Sequence, residues 1–204
     1  MIKNVIFDFG NVLVSFDPTY MTGRYISEPV QLKLAADVIF DRLYWDRLDA
    51  GTVSDEEVVS DIKRRLPLEL HEQAERVYYD WIYNIPEIEG MRQIVLKLKE
   101  HKINIALLSN ISTYFAAHWH EIPLSQIIEN TVFSSVCGFA KPNEEIYKYT
   151  LERFGFNPDE TLFVDDRMDN IEGAEKVGIH GFCFKGKSEE LMKFLKENVL
   201  TEEK

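Results

Sequence analysis

An α/β fold, with a parallel sheet covered by helices on both faces and a helical insert after the first strand, is predicted by three observations. Short apolar runs near 3–7, 103–108, 131–134, 161–164 and 181–184 end in turn-forming, polar or acidic residues, as buried strands do. From the second run onward helical segments alternate with them, and repeated β-then-α order implies parallel pairing. Between about 17 and 84 the pattern is helical throughout, with no convincing strand.

The first strand runs from about Lys3 to Phe7 and turns through Gly10. Helical periodicity begins near Asp17-Pro18, where Ile39-Phe40, Leu43-Tyr44 and Leu48 share one spacing and Ala50-Gly51 ends the helix. Ser54-Asp55-Glu56-Glu57 supplies a capping box for a helix carrying Val58, Val59, Ile62 and Leu66, which Pro67 closes. Another helix from about Leu70 to Tyr83 stops before Pro86, and Pro86-Glu87 starts one with Met91, Ile94, Val95 and Leu98 on a single face. The aromatic residues Tyr44, Trp45, Tyr78, Tyr79, Trp81 and Tyr83 read as core at helical spacing, with a pocket lining as the alternative.

After the strand at Ile103 to Leu108, helices are expected at Thr113 to Trp119, Glu144 to Phe154, Asn170 to Val177 and Glu189 to Val199. They alternate with strands at Thr131 to Ser134, Thr161 to Val164 and Gly181 to Phe184. The chain thus divides into an α/β core of 1–15 and 86–204 and a helical insert of 16–85.

At 204 residues the chain can bury a substantial core, and 45% apolar with 28% charged residues excludes disordered and fibrous classes. A net charge of -12 argues against a nucleic-acid partner, because that binding needs Lys and Arg to neutralise phosphates. An anionic substrate would need local positive charge from a metal, a lysine or backbone N–H groups. Cys137 and Cys183 form no CxxC pair or zinc spacing and read as reduced thiols. With no signal-like segment and no apolar run of membrane-spanning length, a cytoplasmic protein without a membrane partner is expected, as monomer or homodimer.

Four elements carry candidate chemistry. In Val5-Ile6-Phe7-Asp8-Phe9-Gly10-Asn11, Asp8 ends an apolar strand where open α/β sheets place ligands; by itself it reads equally as a turn cap. Ser109 and Asn110 end the second strand and offer neutral donors for a phosphate oxygen, or cap the next helix. Lys141 precedes Pro142 at a helix start and can reach a bound anion, or lie on the surface. Asp165 and Asp166, with Asp169 a turn later, deliver acids suited to Mg²⁺, against the alternative of a helix N-terminus decorated with acids. His118 and His120 do not share a helical face and read as surface or capping residues.

In this order the four elements resemble the haloacid dehalogenase-like (HAD) hydrolase superfamily over essentially the whole chain, and the insert resembles its C1 cap. The resemblance implies a capped Rossmann-like core and a Mg²⁺-dependent phosphatase acting on a small-molecule phosphate ester. Asp8 would be the nucleophile and form an aspartyl-phosphate, Ser109 and Asn110 would bind phosphate, and Lys141 would serve both catalysis and phosphate binding. Asp8, the backbone carbonyl of Gly10, Asp166 and Asp165 would hold the metal, with Asp169 and Asn170 behind them.

One departure matters. The family's phosphatases usually carry an acid two residues after the nucleophile, and this chain has Gly10 there. Asp17, an insert residue or solvent could replace it, or the leaving group could need little help, as in a sugar 1-phosphate; the Asp-x-Gly-Asn start also resembles the α-glucose-1-phosphate phosphatase-like branch. The alternatives are a metal-free 2-haloacid dehalogenase and a non-catalytic binding protein.

Overall fold

The computed structural model describes residues 1–49 and 51–200, so Ala50, an expected helix end, lies outside the described residues, as do 201–204. Its centre is a parallel sheet in the order β3-β2-β1-β4-β5. The strands are β1 (Asn4–Phe7), β2 (Asn104–Ser109), β3 (Asn130–Phe133), β4 (Thr161–Asp165) and β5 (His180–Cys183). Successive side chains of a strand point to opposite faces. Val5, Phe7, Ile105, Leu107, Leu162 and Val164 therefore pack on one side, and Ile6, Ala106, Leu108 and Phe163 on the other.

The first face is covered by α6 (Met91–Glu100), α7 (Thr113–His118) and α11 (Ser188–Asn198), through Ile94, Val95, Phe115, Leu191 and Leu195. The second is covered by α9 (Glu144–Phe154) and α10 (Met168–Glu175), through Ile146, Tyr147, Ile171 and Ala174. With both faces shielded, the central strands β1, β2 and β4 read as apolar runs rather than alternations. A short α8 (Ser134–Cys137) directly follows β3, so Ser134 belongs to a helix and not to the strand.

Between β1 and β2 lie α1 (Pro18–Gly23), α2 (Pro29–Ile39), α3 (Arg42–Asp49), α4 (Asp55–Arg65) and α5 (His71–Asn84). They bury an apolar cluster of their own, including Ile39, Leu48, Val58, Ile62, Ala74 and Val77. The capping box at Ser54 and Glu57 forms as expected. No helix among the described residues is long and apolar enough to cross a membrane.

Two more departures from expectation have a hydrogen-bond cause. The periodicity spanning Ile39 to Leu48 is broken at Phe40-Asp41, where the Asp41 carboxylate accepts the Leu43 N–H at 3.0 Å and caps a fresh helix. The helix expected at Pro86 begins at Met91 instead, because 86–88 is engaged by the chain leaving β1. Ser15 N–H donates to the Pro86 carbonyl at 2.8 Å and Ile88 N–H to the Leu13 carbonyl at 2.9 Å, and Gly90 then turns through φ 83°. These competing hydrogen bonds outweigh Pro86 as a start signal.

Gly173 of α10 lets that helix touch the loop holding Lys141: a Cβ there would lie 2.3 Å from the Pro142 carbonyl oxygen and 3.0 Å from the Tyr147 ring. Gly173→Ala is expected to cost about 1–3 kcal/mol through overpacking, read as a lower urea midpoint at unchanged slope.

Candidate active site

β1 lies between β2 and β4, with Phe7 opposite both Leu107 and Val164. The order of connections reverses here, which opens a crevice at the carboxyl ends of the strands. Asp8 leaves β1 with its N–H on the Val164 carbonyl at 2.9 Å, Asp165 is the last residue of β4, and Ser109 is the last of β2. A cavity of about 780 Å³ occupies the crevice and is lined by Asp8, Gly10, Ser109, Asn110, Lys141 and Asp166 together with residues of the helical insert.

Lys141 Nζ lies 2.7 Å from Asp8 Oδ1 and 2.8 Å from Asp165 Oδ2. Its side chain is 2% exposed, so the surface alternative for this lysine does not hold. Asn110 places it: the Asn110 Oδ1 accepts the Lys141 N–H at 2.8 Å, and its Nδ2 donates to the Lys141 carbonyl at 2.9 Å. The amide expected to meet a phosphate is thus also the clamp on the lysine's main chain.

Asp165 is fully buried and saturated. Its Oδ1 accepts the Arg167 N–H at 2.9 Å, its Oδ2 accepts Lys141 Nζ, and Asn170 Nδ2 donates to both oxygens at 3.0 Å. Asp166 is half-buried and lines the cavity, as does Asn11. Asp169 pairs with Arg167, which holds its carboxyl below the usual range.

Burial pushes Asp8 up from the ordinary 3.8 to about 7, Asp165 adds to the rise, and Lys141 pulls the other way. Burial likewise pushes Asp166 up, aided by the Asp165 charge. For Lys141, burial opposes the ammonium, but Asp8 and Asp165 together overcome it and hold the proton above the usual lysine range.

Asp8, Asp165 and Asp166 each offer a carboxylate oxygen, and those atoms lie within 4.8 Å of one another. Set against one ammonium, three carboxylates leave two negative charges, and their donors are all hard oxygens. That set fits Mg²⁺, which favours carboxylates and retained waters.

Gly10 lies in the turn after Asp8, where Leu13 N–H returns to the Phe9 carbonyl at 2.9 Å. A Cβ at Gly10 would meet only Phe16 Cβ, at 3.9 Å, so backbone crowding does not impose glycine. Asn11 adopts φ 56°, a left-handed geometry that Asn tolerates, and its Oδ1 accepts the Phe16 N–H at 3.1 Å. Asp17 is exposed and caps α1 through the Thr19 and Tyr20 N–H groups. His118 and His120 turn onto the carbonyls of Tyr114 and Ala117, as expected of end-of-helix residues.

Sequence reasoning did not place Asn11, Arg167 or the insert residues Phe16, Phe40, Arg42 and Asp49 at this cavity. Among the aromatics it weighed, Tyr78 is core, whereas Trp45 and Trp81 line the cavity as well. Asn11 had a signal, its place in the turn after the strand end; the insert residues had none, since periodicity does not say which helical face meets a site.

Residues 2–178 match the model of the haloacid dehalogenase-like hydrolase family. The D-ribitol-5-phosphate phosphatase of Bacteroides thetaiotaomicron is 28% identical, over 89% of this chain and 91% of that one. A HAD-like family hydrolase of Porphyromonas gingivalis superposes with a TM-score of 0.71 at 25% identity, covering 97% of this chain and 100% of the other. A HAD-family enzyme of Bacteroides thetaiotaomicron, solved with magnesium and inorganic phosphate, has a TM-score of 0.68 at 24% identity over 91% and 96% of the two chains. The chain belongs to the haloacid dehalogenase-like hydrolase family and stands among its phosphatases.

Two outcomes test the electrostatics. Lys141→Met should destabilise the protein by about 3–5 kcal/mol in chemical denaturation at pH 7.5, because two buried carboxylates are left facing each other. An Asp8 carboxyl raised to about 7 binds its proton more tightly in the folded than in the unfolded chain. The stability it confers is present below about 4 and lost as pH rises through about 7. In EDTA, wild type should therefore lose thermal stability relative to Asp8→Asn across that window; parallel curves would contradict the assignment.

Proposed function

We propose that the protein is a Mg²⁺-dependent phosphomonoesterase acting on a small phosphorylated polyol or sugar through an aspartyl-phosphate on Asp8. The observation that carries this reading is the convergence of Asp8, Asp165 and Asp166 around the buried Lys141 ammonium. Asp8, the Gly10 carbonyl and Asp166 would hold the ion, with Asp165 beside them as a further ligand or a partner through water. When bound, Mg²⁺ supplies positive charge that favours ionised Asp8 and offsets the phosphate dianion.

The Asp8 carboxylate attacks phosphorus in line as the ester P–O bond breaks, and water then hydrolyses the aspartyl-phosphate. Lys141 keeps the attacking carboxylate oriented and neutralises charge, a positioning and electrostatic contribution. Ser109 and the remaining N–H of Asn110 donate to phosphoryl oxygens. Residues 16–85 act as a cap whose side chains shape the pocket and exclude water. The related ribitol-phosphate phosphatase supports a polyol phosphate, and glucose 1-phosphate is a second candidate because its anomeric oxygen leaves more readily than an ordinary alcohol. Metal-free dehalogenation at carbon would leave Asp166 and two uncompensated negative charges without a task.

Phosphate release is measured from ribitol 5-phosphate, glucose 1-phosphate, nucleotides and p-nitrophenyl phosphate with Mg²⁺ or EDTA. Turnover is expected with Mg²⁺, to be abolished by EDTA, and to fall on the order of 10⁴-fold or more in Asp8→Asn. No release from any ester, with tight binding of one, would replace this reading with a non-catalytic one.

A further inference from the structure

We infer that Asp49, at the end of α3, donates a proton to the leaving-group oxygen and takes one from the hydrolytic water, a role that rests on the phosphatase reading above. An alcohol leaving phosphorus departs as an alkoxide unless a proton reaches the bridging oxygen as the bond breaks. On the strand-end side of the cavity the titratable groups are already committed. Asp8 must be ionised to attack, Lys141 is held between two carboxylates, and Asp166 belongs to the acidic cluster. Arg42 and Arg167 do not give up protons at neutral pH, and Gly10 has no side chain. Asp49 is the remaining carboxyl among the described residues lining the cavity, and it comes from the helical insert.

Its position follows from the helix. Arg42, Trp45 and Asp49 are spaced i, i+3 and i+7, so they share one face of α3, and all three line the cavity. The Trp45 ring stacks on Phe40 at 5.7 Å and meets Trp81 edge-on at 5.7 Å, which fixes that face. The turn after Asp49 rests on the core: Gly51, at φ +64°, is so close that a Cβ would lie 3.3 Å from the Ser135 carbonyl oxygen. Neighbouring Ser134 accepts the Ile111 N–H at 3.0 Å, tying the same place to the loop that carries Ser109 and Asn110.

In the first step the Asp8–phosphorus bond forms, the ester P–O bond breaks, and the Asp49 carboxylic acid gives its proton to the departing oxygen. Alcohol, aspartyl-phosphate and Asp49 carboxylate result. In the second step water attacks phosphorus, Asp49 takes its proton, and phosphate and the Asp8 carboxylate are released. The acid is regenerated.

Asp49→Asn and Asp49→Glu are compared with wild type, with Mg²⁺, on p-nitrophenyl phosphate, whose leaving group needs no proton, and on ribitol 5-phosphate and glycerol 3-phosphate, whose alcohols do. Asp49→Asn should lose roughly 10²- to 10⁴-fold in kcat on the alkyl esters and less than about tenfold on the aryl ester, with Asp49→Glu falling between. Aryl turnover doubles as the check that the variants fold. Equal losses on both ester types, an unchanged alkyl rate, or a wild type that hydrolyses only the aryl ester would overturn the role of Asp49 and leave the phosphatase reading standing. No release from any ester by wild type would remove both.

Discussion

The structure depends on one buried ammonium. In-register pairing of β1 with β4 brings Asp8 and Asp165 to neighbouring strand ends, and two carboxylates in that position repel unless a cation lies between them. Lys141 is that cation, at 2.7 and 2.8 Å. Burying a charge is costly without a partner and hydrogen bonds, so its surroundings are built to hold it. Asn110 fixes its main chain, Gly173 lets α10 approach the following proline, and Asn170 locks the acid on the far side.

Two adjacent acids at the end of β4 divide their tasks because consecutive residues point in opposite directions. Asp165 turns inward and is saturated by Lys141, Asn170 and the Arg167 N–H, whereas Asp166 turns to the cavity. The inner acid organises the site and the outer one stays available. Across the cavity the insert adds Phe16, Phe40, Trp45 and Trp81, whose rings meet one another at centroid distances of 5.5 to 5.7 Å. An apolar wall over an acidic floor lowers the local dielectric and so strengthens the charge interactions among Asp8, Lys141 and the β4 acids.

Much of this was legible in the chain. Strands buried on both faces announce themselves as apolar runs, and a polar residue that ends such a run has nowhere to go but the crevice, so Asp8, Ser109 and Asp165-Asp166 could be read one strand at a time. Lys141 was harder, since a lysine before a proline carries no sign of burial until its two acids are placed beside it. The break at Asp41 and the late start of α6 were hidden because one side-chain cap and one pair of loop hydrogen bonds outweighed a clear periodicity. Which insert residues face the site depends on how helices dock on the sheet, a long-range matter that spacing within a helix does not encode.

The contact between 13–15 and 86–88 has a consequence for how such a chain diversifies. Val14 and Glu87 form an antiparallel bridge, so the polypeptide leaves and rejoins the sheet through one doorway. To the sheet, everything beyond that doorway is a loop of fixed mouth, and lengthening a loop adds closure entropy only logarithmically. Segments of other lengths and sequences could be grafted there while the three strand ends and the Lys141 loop stay as they are. The reaction and the choice of substrate are therefore free to evolve as separate inheritances.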